Sequence, residues 1–209
     1  MVHILSLNLI ASTSQIVQNR VSSVWPWYII RASGFTAVAL LIMLTISGIG
    51  QVTGLTFKYL EPIKAWAFHK ALAYTLCAAV IVHGGFLLLD HYVKFTIPQI
   101  LIPFVSHYNN KSSLIGLNLG WFGVTAGILA SYGIAVIIIS SLGWIDTKKK
   151  AWKQLHYLSY LVAILVFIHA LSTGSDLKYG TFRLFFIFLG LLTIIGVISR
   201  IYRAGIIKE

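Results

Sequence analysis

Four histidines stand inside apolar runs of this chain, His69 and His83 fourteen positions apart in one run, His156 and His169 thirteen apart in another. Neutral imidazole is a ligand for transition metals and for haem iron. At 1.5 Å per residue the two separations correspond to about 21 Å and about 20 Å along a helix axis. One apolar run lies between the two, so as membrane helices they run in the same direction and present their histidines at matching depths. Each depth then offers two imidazoles from neighbouring helices, the arrangement needed for bis-histidine ligation of a haem iron in a bundle core. A lone histidine in such a helix often does no more than bond a backbone carbonyl. Four at matched depth are harder to assign to packing, because ionisable residues inside membrane spans are rare and usually functional. A different chemistry for the same residues is proton relay in a channel or transporter without haem.

The elements that must position these residues are helices. Hydrophobic residues make up 58% of the chain and charged residues 10%, and the mean hydropathy is +0.86, outside the balance of an ordinary soluble domain. The uninterrupted apolar runs lack the alternation of an outer-membrane barrel. The fold class expected is therefore an all-α integral membrane protein with five transmembrane helices, at about 27–50, 65–89, 116–142, 152–172 and 182–203, each long enough to cross a hydrocarbon core of roughly 30 Å. Residues 1–26 read as an interfacial or marginally inserted segment, with a sixth N-terminal span as the alternative. They lack the basic start and cleavage site of a signal peptide. Residues 204–209 read as a short tail. Between about 90 and 115, Pro98 and Pro103 argue against a span and suit a segment at the membrane surface. Gly116, Gly120, Gly123, Gly127 and Gly133 in the third span permit close helix approach.

The formal net charge is +11, but the basic residues fall almost entirely in short loops between apolar runs, where they signal topology rather than nucleic-acid binding. Ten of the sixteen lie on one face: Lys58, Lys64, Lys70, Lys148, Lys149, Lys150, Lys153, Arg200, Arg203 and Lys208. Arg20, Arg31, Lys94, Lys111, Lys178 and Arg183 lie on the other. The richer face is expected to be cytoplasmic, giving a multi-pass protein of the cell membrane with a cytoplasmic C-terminus and His69 and His156 at the inner level. Cys77 is the only cysteine, so no disulfide framework or cysteine-held metal site is available, and haem would be held without thioether links.

Helical phase sets one problem. At about 100° per residue, fourteen positions return His83 to within about 40° of His69, whereas thirteen leave His169 rotated by about 140° from His156. Either the second histidine helix is locally distorted or its histidines address haems displaced around it. Tyr74, Tyr160 and Phe167 lie between the two levels, where they either shorten electron-transfer gaps or pack as core aromatics. Asp90, His91, His107 and Asp176 fall on the outer side, as a ferric-ion or docking cluster or as solvated loop residues.

The fourteen-and-thirteen pattern on alternate helices resembles the ferric reductase and NADPH oxidase transmembrane domain. The resemblance extends over residues 27–203 through Trp27-Tyr-Ile-Ile-Arg31-Ala-Ser-Gly34, Leu88-Leu-Asp90-His-Tyr92, Pro103-Phe-Val-Ser106-His-Tyr108, Trp152-x-x-Leu155-His156 and His169-Ala-Leu-Ser-Thr-Gly174-Ser-Asp176. It implies two stacked haem b groups, an inner one between His69 and His156 and an outer one between His83 and His169. It also implies that Arg31 lies near the outer haem and neutralises a propionate, where composition alone would let it snorkel to the headgroups. Lys70 and Lys153 are open between inner propionates and ordinary surface charges. Two axial histidines leave no open position on the iron, so the resemblance implies the membrane electron-transfer component of an oxidoreductase. Ferric iron, oxygen or an extracytoplasmic redox partner is then the acceptor. Relatives continue into flavin- and nicotinamide-binding domains, and no nucleotide fingerprint occurs in these 209 residues. The donor is thus expected to be a separate cytoplasmic flavoprotein, a ferredoxin or quinol. A domain of this kind is also similar to the haem subunit of the periplasmic methionine sulfoxide reductase system.

Overall fold

The computed structural model describes residues 2–109 and 120–206, with the backbone alone for residues 2–14, 16–23, 201 and 203–206. Lys111, Gly116 and Lys208, and the first four positions of the third span, lie outside the described residues. The described chain is helical, with α1 at Val2–Val52, α2 at Pro62–Leu87, α3 at Ile97–Leu101, α4 at Gly120–Trp144, α5 at Lys149–His156, α6 at Leu158–Thr173 and α7 at Thr181–Ile206. Five stretches are long and apolar enough to cross a membrane: Val24–Val52, Pro62–Leu87, Gly120–Trp144, Lys149–Thr173 and Thr181–Arg200. Among the described residues these five helices fit a multi-pass membrane protein. The N-terminal segment 1–26 is helical from Val2 and continuous with the first span through Pro26.

Large apolar side chains on the outside of the bundle mark the lipid-facing surfaces. Ile81, Ile139 and Leu184 are each 68% exposed, a state that lipid tolerates and water would not. The buried apolar core is correspondingly small. Leu41, Leu76, Ala130, Ile134, Val162 and Ala163 form one cluster drawn from α1, α2, α4 and α6.

Two antiparallel hairpins make up most of the bundle, α1 packed on α2 and α4 packed on α6, and they touch one another only lightly. Pro62 opens α2 in its first turn, where a missing N–H costs no intrahelical bond. In α4, small residues let α6 come close. A Cβ at Gly133 would stand 2.5 Å from a Val162 methyl, and one at Gly123 would stand 2.6 Å from the Ser172 Cβ.

The described part of the segment between α2 and α4, residues 88–109, is mostly exposed and forms no membrane-length helix. Thr96 and Gln99 form a capping box over the five-residue helix α3, with the Gln99 side-chain oxygen accepting the Thr96 N–H at 3.0 Å. The segment is tied down on α4 at two points. The Phe104 N–H donates to Thr125 Oγ1 at 3.1 Å, and the Tyr132 hydroxyl donates to the Leu101 carbonyl.

Candidate functional site

The four histidines meet in the pairs that their depths imply. The His69 and His156 ring centroids are 6.3 Å apart and those of His83 and His169 are 6.1 Å apart. Two imidazoles that share one metal at the roughly 2 Å typical of metal–imidazole bonds hold their centroids about 6 Å apart, so both pairs have a ligating separation. The core cluster lies between the levels in sequence on all four helices, with Leu41, Leu76, Ile134 and Val162 among its members.

At the His83–His169 level both rings are anchored in the same way. His83 Nδ1 lies 2.9 Å from the Ile30 carbonyl oxygen, and His169 Nδ1 lies 2.9 Å from the Gly123 carbonyl oxygen. A carbonyl only accepts, so Nδ1 carries the proton in each ring and the other nitrogen keeps its lone pair for a ligand. A carbonyl in mid-helix is normally screened by the side chain one turn on. Here that residue is a glycine in both cases: Gly34 follows Ile30 by four, and Gly127 follows Gly123 by four. A Cβ at Gly34 would stand 3.2 Å from the His83 ring, and one at Gly127 would stand 2.5 Å from His169 Nδ1. The glycines are what let each imidazole reach the neighbouring backbone.

The His69–His156 level is built with fewer fixed bonds. His69 Nδ1 lies 3.4 Å from Ser47 Oγ, and a Cβ at Gly48 would stand 3.4 Å from the His69 ring. The His156 ring rests on the Trp152 indole at 5.2 Å between centroids, and the indole N–H donates to Ser141 Oγ at 3.0 Å. His156 Nδ1 is buried without a hydrogen-bond partner.

The thirteen-residue spacing is accommodated by a local distortion. Helix α5 ends at His156, Tyr157 forms a turn, and α6 starts at Leu158. The Tyr160 N–H reaches back three residues to the Tyr157 carbonyl at 3.2 Å, a tighter winding than the α-helix allows. The break falls between the two histidines, immediately after the first, where it changes their relative phase.

Arg31, one residue after the carbonyl that anchors His83, has a partner that the sequence left unassigned. Its guanidinium forms a two-pronged ion pair with Asp176, with Nε 2.7 Å from one carboxylate oxygen, and lies 4.0 Å over the Trp27 ring. Asp176 is thereby committed to Arg31 rather than to a loop cluster. Asp90 is 6% exposed and accepts the N–H groups of Tyr92 and Val93, so it closes a turn and is not a solvated residue. His91 lines a cavity of about 400 Å³ with Asp90, Trp25 and Lys94, and His107 lines a separate one of about 270 Å³ with Tyr108 and Trp121. Burial raises the Tyr108 phenol above its ordinary pKa, and the Asp90 charge adds to the effect. Among the described residues no three histidine, cysteine, aspartate or glutamate side chains converge to hold a metal ion.

The aromatic residues between the levels differ in their surroundings. Phe167 meets Phe186 in a tilted contact, with 5.0 Å between centroids, and covers Gly190, and Tyr74 is 46% exposed. Tyr160 pairs with Tyr157 and carries Arg200 over its ring. Lys70 lies 4.4 Å over Trp66, and Lys153 is exposed.

Sequence reasoning picked out the histidines and missed what orients them. Gly34 and Gly48 on α1 are fourteen apart, as His69 and His83 are on α2. In an antiparallel hairpin equal spacing puts each glycine opposite a histidine, and that coincidence was readable.

No curated protein and no solved structure matches the chain. Residues 33–168 match the ferric reductase like transmembrane component family. The match takes in Gly34, Gly48, His69, His83, Gly127 and His156, and it ends one residue before His169. Over more than half the chain, and across most of the residues that build the two histidine levels, this protein belongs to the ferric reductase-like transmembrane family.

Proposed function

We propose that the protein carries electrons across the membrane through two haem b groups, one held by His69 and His156 and the other by His83 and His169. The family points to transmembrane electron transfer. The observation that carries the two-haem reading is the pair of facing imidazole couples, 6.3 Å and 6.1 Å apart, with the outer couple fixed in the ligating tautomer by backbone carbonyls. The two hairpins meet lightly along the seam where these imidazoles face each other, so a flat group placed there displaces little helix–helix packing. Haem b bound by two histidines supplies one-electron chemistry without an open coordination site.

The residues of the chain set the conditions for that chemistry. Ile30 and Gly123 hold the outer imidazoles through their carbonyls. Trp152, itself held by Ser141, supports the His156 ring. The cluster around Leu41, Leu76, Ile134 and Val162 keeps water from the space between the levels. Arg31 supplies positive charge at the outer level, already balanced by Asp176, and a haem propionate there would share the guanidinium with that carboxylate.

The face richer in lysine and arginine is read as cytoplasmic, together with the C-terminus. It receives electrons from a separate cytoplasmic flavoprotein, a ferredoxin or quinol, and delivers them to ferric iron, oxygen or a redox partner outside. The same residues as a proton relay are the less favoured reading, because the family match points to electron transfer.

The test is vesicles containing the purified protein and trapped ferricyanide, with dithionite added outside. Ferricyanide bleaching faster than in protein-free vesicles is expected. Bleaching no faster than in those vesicles, together with histidine-dependent acidification of a trapped pH dye, would support proton relay instead.

A further inference from the structure

Two buried polar nitrogens among the described residues have no hydrogen-bond partner, His156 Nδ1 and Arg200 Nε. Both belong to the same corner of the bundle. Arg200, near the end of α7, lies 5.1 Å over the Tyr157 ring and 5.4 Å over the Tyr160 ring, the two tyrosines that flank the break after His156. The ion pairs of the described residues are Arg31 with Asp176 and Lys64 with Glu61, and neither includes Arg200. A guanidinium presents five N–H donors in a planar fork matched to a carboxylate. Holding such a group against two aromatic rings with a buried N–H unsatisfied is costly unless an anion completes it.

We infer that Arg200 is a binding group for a carboxylate of the haem held by His69 and His156. Its chemistry fits a carboxylate better than a second histidine or a neutral head group, because Nε and one terminal nitrogen bind the two oxygens together. The break at Tyr157 serves two ends here: it turns His156 toward His69, and it presents Tyr157 and Tyr160 as a platform for the arginine. The tyrosine faces attract the guanidinium and leave its donor edge for the ligand. An anionic lipid phosphate offers similar chemistry from another source.

This inference rests on the two-haem reading, and the experiment separates the two. The starting protein is the full chain with His83→Leu, which retains only the haem of His69 and His156. Into it Arg200→Gln is introduced. A charged hydrogen-bonded pair contributes about 1.5–3 kcal/mol, so haem transfer to apomyoglobin should accelerate on the order of tenfold or more, with the midpoint potential falling as the positive charge is lost. Haem dimethyl ester, which lacks the carboxylates, should be released faster than haem from the Arg200 protein, with that difference reduced in Arg200→Gln. Where the glutamine variant does not accumulate, Arg200→Lys and the ester comparison carry the same test. Equal retention of haem and its ester by the Arg200 protein would overturn the inference and direct attention to lipid phosphate. So would an unchanged release rate and potential in Arg200→Gln. Unsubstituted protein that takes up no haem would overturn the reading beneath it.

Discussion

Gly127 lies against His169 so closely that a β-carbon at that position would stand 2.5 Å from the ring nitrogen that bonds the Gly123 carbonyl. The imidazole and the glycine define one another: the ring occupies the space where a side chain would be. Gly127→Ala therefore forces His169 off its carbonyl. The expected cost is about 1–3 kcal/mol of overpacking, with loss of the outer haem and retention of the inner one. The haem-to-protein ratio from pyridine haemochrome spectra, with thermal inactivation in detergent, checks this. Gly84→Ala is the control, since nothing lies within 4 Å of a Cβ there, and it should leave the ratio unchanged.

The ion pair of Arg31 and Asp176 joins the start of the first span to the turn after α6. Both side chains are about one-third exposed or less, so solvent screens the pair in part and the surface value of a salt bridge is a lower bound. Asp176→Asn should cost about 1–2 kcal/mol. Arg31→Gln in the same protein should cost less than it does alone, because the charge it removes has already lost its partner. Non-additive shifts in the thermal midpoint would show the coupling. Strictly additive shifts would mean that the two residues act independently.

Much of this was readable in the chain before its structure. Apolar run length fixed five helices, and histidine spacing placed four imidazoles at two depths. The pairing of Arg31 with Asp176 was not readable, because the partners are 145 residues apart and local pattern carries no information at that range. The break at Tyr157 was legible only as a phase discrepancy. Neither a proline nor a glycine marks it, and the residues around it, Leu155-His156-Tyr157-Leu158-Ser159, favour no turn. The anchoring of His83 and His169 escaped because its acceptors are backbone carbonyls, which every residue possesses. Only the glycines one turn later distinguish Ile30 and Gly123 from their neighbours.

Tyr108 in the surface segment gives a pH dependence of known sign. Burial, with the Asp90 charge behind it, raises its pKa in the folded protein. The unfolded chain ionises first, near the ordinary value of about 10. The contribution to stability is therefore complete below that pH and is lost as pH rises through the unfolded and then the folded pKa. Unfolding midpoints measured between pH 8 and 11 should fall more steeply in the native protein than in Tyr108→Phe. Parallel curves would show that Tyr108 titrates normally.

Trp152 supports His156 from beside the inner level, with its indole N–H bonded to Ser141. Trp152→Phe keeps a ring and loses that bond. The expected result is a broadened inner-haem Soret band and a weaker hold on that haem, with the outer haem unaffected. Ser141→Ala should reproduce the effect in milder form, since it removes the acceptor and leaves the indole in place. Redox titration followed optically separates the two haems and reads both variants.

The facing imidazole pairs are tested most directly by haem content and ligation in the purified full-length protein. Two haem b per chain are predicted, both low-spin in the electron paramagnetic resonance spectrum of the oxidised protein, falling to one in His83→Leu. Protein without haem, haem that is high-spin and five-coordinate, or retention of both haems in His83→Leu would contradict the account.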